Sequence, residues 1–271
     1  MEPSIELSKV SFSFLPAAPV LRDITLSFRP SEFVGVVGPN ASGKTTLARL
    51  LNGNLLPTEG TVSVNGLLSS LSQNQLALKR LVTLIHSDAE NQLITPTVWD
   101  EITFALQALG TDEHEIRQRG EGALETFGLK QYRDIHPYYL SVGEQFRLLL
   151  AAGFVRQPSY FVLDEVLSMI DAHARQSILH MLLSLRAQSG VGVIVLTHRL
   201  EDLFDADRTI VLQNGHVELD ASVEAVFRES LNRPDWNIET PLLHRVYGAL
   251  APEKRTCFVN WCPWMPVPTE G

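Results

Sequence analysis

The chain is nearly without cysteine. Two occur in 271 residues, Cys257 and Cys262, both near the C-terminal end. That excludes a disulfide framework and fits a reducing compartment. No second cysteine pair accompanies them, so zinc-site spacing is missing too. Apart from His198, taken up below, the histidines show no metal-ligand spacing. Long apolar runs are also lacking. The longest, Leu148 to Val155, is closed by Arg147 and Arg156, whereas a bilayer span needs roughly 20 apolar residues. Met1 to Pro16 lacks a basic start followed by an apolar block, so no secretory leader is expected. The expected chain is soluble, or peripheral through a partner. An excess of basic residues is absent as well. The net charge is −9, and long-range electrostatics then work against duplex DNA or an anionic lipid face as main partner. No internal repeat and no low-complexity tract interrupts the sequence.

What the chain does contain is enough apolar residue, 45%, for one large domain or a domain with an appendage. Ile5, Leu7, Val10, Phe12 and Phe14, with Ile24, Leu26 and Phe28, alternate as antiparallel strands exposed on one face do. Phe33 to Val37, Tyr160 to Leu163 and Val191 to Leu196 are instead nearly all apolar, the mark of strands buried on both faces. A helix is expected from Gly43 to Asn52, stopped by Gly53, and another from Asp171 to Gln188, ended by Gly190. Pro57 to Gly60 reads as a turn before a strand at Thr61 to Asn65. From Thr97 to Gln157 the pattern is helical, with Thr97 and Asp100 matching a capping box. Asn214-Gly215 signals a hairpin turn. The organisation expected is an α/β domain over 1–220, split by a helical insertion over 97–157, with a C-terminal extension over 221–271. In that extension Ser222 to Leu231 and Leu242 to Leu250 are candidate helices, and the tail from Ala251 is irregular.

Gly38-Pro39-Asn40-Ala41-Ser42-Gly43-Lys44-Thr45, followed by Thr46, fits the G-x-x-x-x-G-K-[ST] phosphate loop and lies between a buried strand and a helix, the context that confirms it. Glycines let successive N–H groups curl toward phosphate oxygens, and the following helix adds its positive end. Lys44 supplies a compact cation to the β- and γ-phosphates, and Thr45 offers a hydroxyl to Mg²⁺. The strand Phe161-Val162-Leu163 ends in Asp164-Glu165, which places two carboxylates at the carboxyl edge of the sheet. Asp164 would hold Mg²⁺ through water, and Glu165 would polarise the attacking water.

Leu140-Ser141-Val142-Gly143-Glu144-Gln145 resembles the LSGGQ signature of ABC ATPases and sits shortly before the Asp-Glu strand, as in that family. Ser168 to Asp171 resembles the family's D-loop, and His198, after a buried strand, its switch histidine. Phe14 falls where an aromatic residue stacks on adenine. Ala89 to Leu93 and Thr97 to Phe104 are similar to the energy-coupling-factor subgroup, as is the extra C-terminal region. The resemblance implies a P-loop NTPase of the ABC fold, with an antiparallel β subdomain and a helical insertion. It implies ATP and Mg²⁺ as ligands and a transmembrane transporter subunit as partner, with no nucleic acid. It further implies a second ATPase whose ATP receives Ser141, Gly143 and Glu144 from this chain. Ser141 and Glu144 also match a capping box for their own helix, which is compatible with that use.

Three departures from the family pattern stand out. His86 occupies the place of a glutamine that reaches Mg²⁺ through an amide oxygen, and Gln92 is a candidate substitute. Val142 replaces the first signature glycine, and Val166 replaces a common proline. Together they imply a competent phosphate loop here and a weaker site where this chain lends Ser141, a pattern that suits a heterodimer with a sister chain. Two other readings stay open on the motifs alone: an ABC ATPase acting on DNA or ribosomes, and an ATP-gated regulatory clamp.

Overall fold

The computed structural model describes residues 4–16 and 18–239. Strands β1 (Ile5–Leu15), β2 (Ala18–Phe28), β4 (Glu59–Val64) and β5 (Leu67–Leu68) form an antiparallel sheet in the order β2-β1-β4-β5. The second sheet runs β10-β9-β3-β8-β7-β6. Its members are β3 (Phe33–Val37), β6 (Val82–His86), β7 (Tyr160–Asp164), β8 (Gly192–Thr197), β9 (Arg208–Gln213) and β10 (His216–Ala221). All its neighbouring pairs are parallel except the β9–β10 hairpin at the edge. Seven α-helices lie among the described residues: α1 (Lys44–Leu51), α2 (Gln75–Leu81), α3 (Val98–Ala108), α4 (Glu113–Thr126), α5 (Val142–Phe154), α6 (Ala172–Ser189) and α7 (Val223–Ser230).

Side-chain alternation along the parallel strands builds two cores. Phe33, Val37, Phe161 and Leu163 point into one, with the helical insertion. Val34, Val36, Tyr160 and Val162 point into the other, with α1 and the antiparallel sheet. Both faces of these strands are therefore buried, which is why they read as unbroken apolar runs. Each fully buried Leu or Phe contributes roughly 1.5–3 kcal/mol, so the sheet fixes the site at its carboxyl edge firmly.

The helix ends follow from local chemistry. Gly53 and Gly190 adopt left-handed backbone after α1 and α6, and Asp171 caps α6 by accepting from the amides of His173 and Ala174. The Ser141–Glu144 capping box is complete. The Thr97–Asp100 box is only half made: the Thr97 side chain accepts from the Asp100 amide, but Asp100 takes the Thr97 hydroxyl proton at 2.6 Å. Helix α5 ends at Phe154, short of the expected Gln157, whose φ of 55° is left-handed.

Residues 222–239 do not stand apart from the rest. Val223, Val226, Phe227 and Trp236 share the core of the helical insertion and the parallel sheet. The expected boundary at 220 thus passes through one continuous core. The candidate helix at Leu242 to Leu250 and the tail with Cys257 and Cys262 lie outside the described residues.

Candidate nucleotide site

The phosphate loop joins β3 to α1, and two glycines make its curl possible. A Cβ on Gly38 would meet the Leu212 carbonyl oxygen of β9 at 2.0 Å, and Gly43 has φ 108°. The amides of Lys44, Thr45 and Thr46 precede the first helical bond, Leu47 N–H to the Gly43 carbonyl, so α1 offers them to an anion. The Ser42 hydroxyl is buried without a hydrogen-bond partner, a further donor aimed into the loop.

Lys44 is 5% exposed, and its ammonium donates to the carbonyls of Gly38 at 2.7 Å and Pro39 at 3.0 Å. It also lies 3.3 Å from Glu165 Oε1. The other Glu165 oxygen is 2.9 Å from His198 Nδ1. One carboxylate thus bridges the lysine and the histidine, the two groups that would meet a γ-phosphate. A phosphate entering between them must displace it. Glu165 itself has φ 55°, an unfavourable conformation for a residue with a Cβ, held by the Ser168 hydroxyl, which lies 2.7 Å from its carbonyl oxygen. Val166 and Leu167 beneath it are buried, so the valine in place of proline anchors this turn by packing.

The Thr45 hydroxyl donates to Asp164 Oδ1 at 3.2 Å. Parallel register sets His86 opposite Asp164, with Nδ1 3.6 Å from Oδ2. Thr45 and Asp164 present hard oxygen donors and fit Mg²⁺; the His86 imidazole does not, and its place is beside the acid. Gln92 is no substitute. Its side-chain oxygen accepts from the His86 amide at 3.0 Å, and its NH₂ donates to the carbonyls of His86 and Asp88. It closes its own loop.

Asn40, Ala41, Gly43, Lys44, Thr45, Thr46, Glu165 and Val20 line a cleft of about 310 Å³. Phe14 does not line it. It is exposed near the end of β1, packed edge-on against Phe12. Val20 on β2 faces the loop instead, a contact that no motif announces. Arg175 was equally hidden. From α6 it donates to the carbonyls of Leu167, just before the D-loop, and Ile170 within it, and to Glu201, and it lies 3.7 Å from buried Asp202. It ties the D-loop to the segment after His198.

Ser141, Val142, Gly143 and Glu144 lie elsewhere. With Arg147, Asp171 and His173 they line a separate cleft of about 490 Å³ that shares no residue with the first. Gly143 is required by closeness, because a Cβ there would meet the Ala174 Cβ at 2.9 Å. Val142, 45% exposed, projects into this cleft. Burial pushes the Glu144 carboxyl up, but hydrogen bonds from Tyr132 and Ser141 and the Arg147 charge outweigh it, holding it below the usual range.

Comparison with known proteins settles the family. The model of the ABC transporter family matches residues 21–168. The chain belongs to the ABC transporter ATP-binding family. An energy-coupling factor transporter ATP-binding protein, EcfA, from Syntrophomonas wolfei is 40% identical over 77% of this chain and 77% of its own length. EcfA1 from Caldanaerobacter subterraneus is 35% identical over 83% of each. Among solved structures, cbiO1 from Clostridium perfringens superposes with a TM-score of 0.79 at 23% identity, covering 91% of this chain and 98% of that one. A dimeric ATP-binding cassette, MJ0796, superposes with a TM-score of 0.72. These two establish the same ABC ATPase fold. The chain is an ABC transporter ATPase that binds and hydrolyses ATP, and the relatives favour transport over action on DNA or ribosomes. Among the described residues no helix is long and apolar enough to cross a membrane.

Proposed function

We propose that this ABC ATPase is one of two motor subunits of an energy-coupling-factor transporter taking up a vitamin or a transition-metal ion. Its place is the cytoplasmic face of the membrane, held by a transmembrane partner. ATP binds at Gly38 to Thr46, with Lys44 on the terminal phosphates, and the exposed Phe14 is the candidate to stack on adenine outside the phosphate cleft. Thr45 and Asp164 would hold Mg²⁺, which would supply charge that neutralises the phosphates. His198 contacts the γ-phosphate once Glu165 swings aside. Glu165 then orients water and accepts its proton, as the water oxygen bonds to the γ-phosphorus and the bond to the bridging oxygen breaks, releasing ADP and phosphate.

One observation carries this reading: the phosphate loop and the signature line separate clefts. Ser141, Gly143 and Glu144 take no part in this chain's own phosphate cleft, which supports their use by a second ATPase's nucleotide. The exposed Val142 favours a sister chain over an identical copy, because a homodimer would place this valine over both nucleotides. Exposed Ile94, Phe104, Ile135, Tyr138 and Tyr139, on the helical insertion and its approach, supply apolar surface for the membrane partner.

Phosphate release from the complete transporter tests it. Glu165→Gln in this chain should lower turnover by about 10²–10⁴-fold, the usual range for losing a general base, while MgATP still binds. If Glu165→Gln leaves turnover intact and the matching change in the partner alone abolishes it, the active site belongs to the partner and the proposal fails.

A further inference from the structure

The described chain ends beside the switch histidine. After α7 the backbone returns across β9, where the Gln213 side chain donates to the Asp235 carbonyl at 2.9 Å and Trp236 is buried. It then makes a one-residue parallel bridge between Glu239 and Arg199. The Glu239 amide donates to the His198 carbonyl at 2.8 Å, and the Leu200 amide donates to the Glu239 carbonyl at 3.0 Å. This return brings the Glu239 carboxylate to His198 Nε2, with Oε2 at 3.5 Å. The other ring nitrogen faces Glu165 at 2.9 Å. The imidazole is thus flanked by two acids, one inside the site and one outside it.

We infer that Glu239 is a positioning residue for ATP hydrolysis, holding the outer nitrogen of His198 so that the inner one faces the γ-phosphate. The inference rests on the nucleotide-site reading above. When phosphate takes the place of Glu165 beside Lys44, the inner contact of His198 changes partner. The outer contact does not have to change, and it is the one that keeps the ring aimed. Glu239 and His198 are 49% and 36% exposed at their side chains, and exposed pairs of this kind add little to stability. The consequence of the contact is therefore orientation, as for a carboxylate behind a catalytic or metal-binding histidine. Backbone atoms alone make the bridge to residue 239, so a substitution there removes the acid and keeps the bridge.

The full chain in its transporter complex is assayed for phosphate release against MgATP concentration. Glu239→Ala should lower kcat by about tenfold with KM within about twofold, the scale of a coupled contact pair felt in the transition state. Glu239→Gln, whose amide oxygen can still accept from the imidazole, should recover most of that loss. In a His198→Ala background Glu239→Ala should have no further effect. An equal loss in that background, or an unchanged or raised kcat in Glu239→Ala alone, overturns the inference. Retention of labelled MgATP separates the two levels. If the wild type holds none that Lys44→Ala removes, the site reading and this inference fall together. If binding stands but the Glu239 effect does not depend on His198, only the inference falls.

Discussion

The phosphate-loop half and the signature half of this ATPase are built on different principles. Lys44, His86, the adjacent pair Asp164 and Glu165, and His198 come from four separate stretches of chain and hold one another: lysine to acid, acid to histidine, and the Thr45 hydroxyl to acid. Ser141 to Glu144 come from one helix start and are held mainly by local contacts, their capping box and the Arg147 charge one turn on. The first half is a tertiary assembly whose groups already compensate each other's charge. The second is a local structure with its polar groups turned to an open cleft. Damage to the first should be severe and unrescued by any partner; damage to the second should be graded, with its effect on turnover visible only in the assembled motor.

The sharpest way to break this comparison is at Lys44. Its ammonium is nearly fully buried and compensates Glu165. Lys44→Ala removes the cation and leaves the acid with His198 alone near incoming phosphate. MgATP affinity should fall by about 10²-fold or more, the cost of truncating one member of a buried charge pair, as read by equilibrium binding to the purified chain. Retention of wild-type affinity would mean that the loop amides alone define the site.

Much of the first half was readable from the sequence because its motifs are local. The phosphate loop fits within one strand–turn–helix, and buried strands betray themselves by unbroken apolar runs. What stayed hidden depends on distance or on missing punctuation. Helix α2 runs into β6 with no glycine or proline between them, Leu81 being followed directly by Val82, so neither boundary is marked. Gln92 looked free because nothing in its spacing tells that its amide closes a loop onto His86. Glu239 reaches His198 only because Trp236 is drawn into a core shared with the parallel sheet, an outcome of packing and not of pattern. The capping boxes divide the same way. Glu144 closes its box, whereas the shorter Asp100 carboxylate takes the Thr97 hydroxyl instead.

Val142 sharpens the comparison from the other side. Its side chain lines the signature cleft and is not part of the phosphate-loop cleft of its own chain. Val142→Gly should leave MgATP binding by the isolated chain unchanged and raise turnover of the assembled motor by about two- to tenfold. That is the worth of one recovered hydrogen bond of ~0.5–1.5 kcal/mol to a partner's nucleotide. An unchanged motor rate would show that the valine is not what limits that site.

The smallest effect belongs to Glu144, and pH isolates it. Its carboxylate accepts from the Ser141 amide at 2.9 Å and hydroxyl at 2.7 Å, and it sits at the positive end of α5. The folded state favours the ionised form, since its pKa is lowered. The stability it contributes is therefore present above the unfolded value of 4.5 and lost as pH falls through the depressed folded value. Glu144→Ala should cost about 1 kcal/mol at pH 7, the usual scale of a helix cap, and less as acid neutralises the wild-type side chain. Denaturant midpoints of wild type and variant, measured from pH 7 down to about pH 3, should converge at the acid end. A gap that stays constant with pH would assign the cost to lost packing under the signature instead of to the cap's charge.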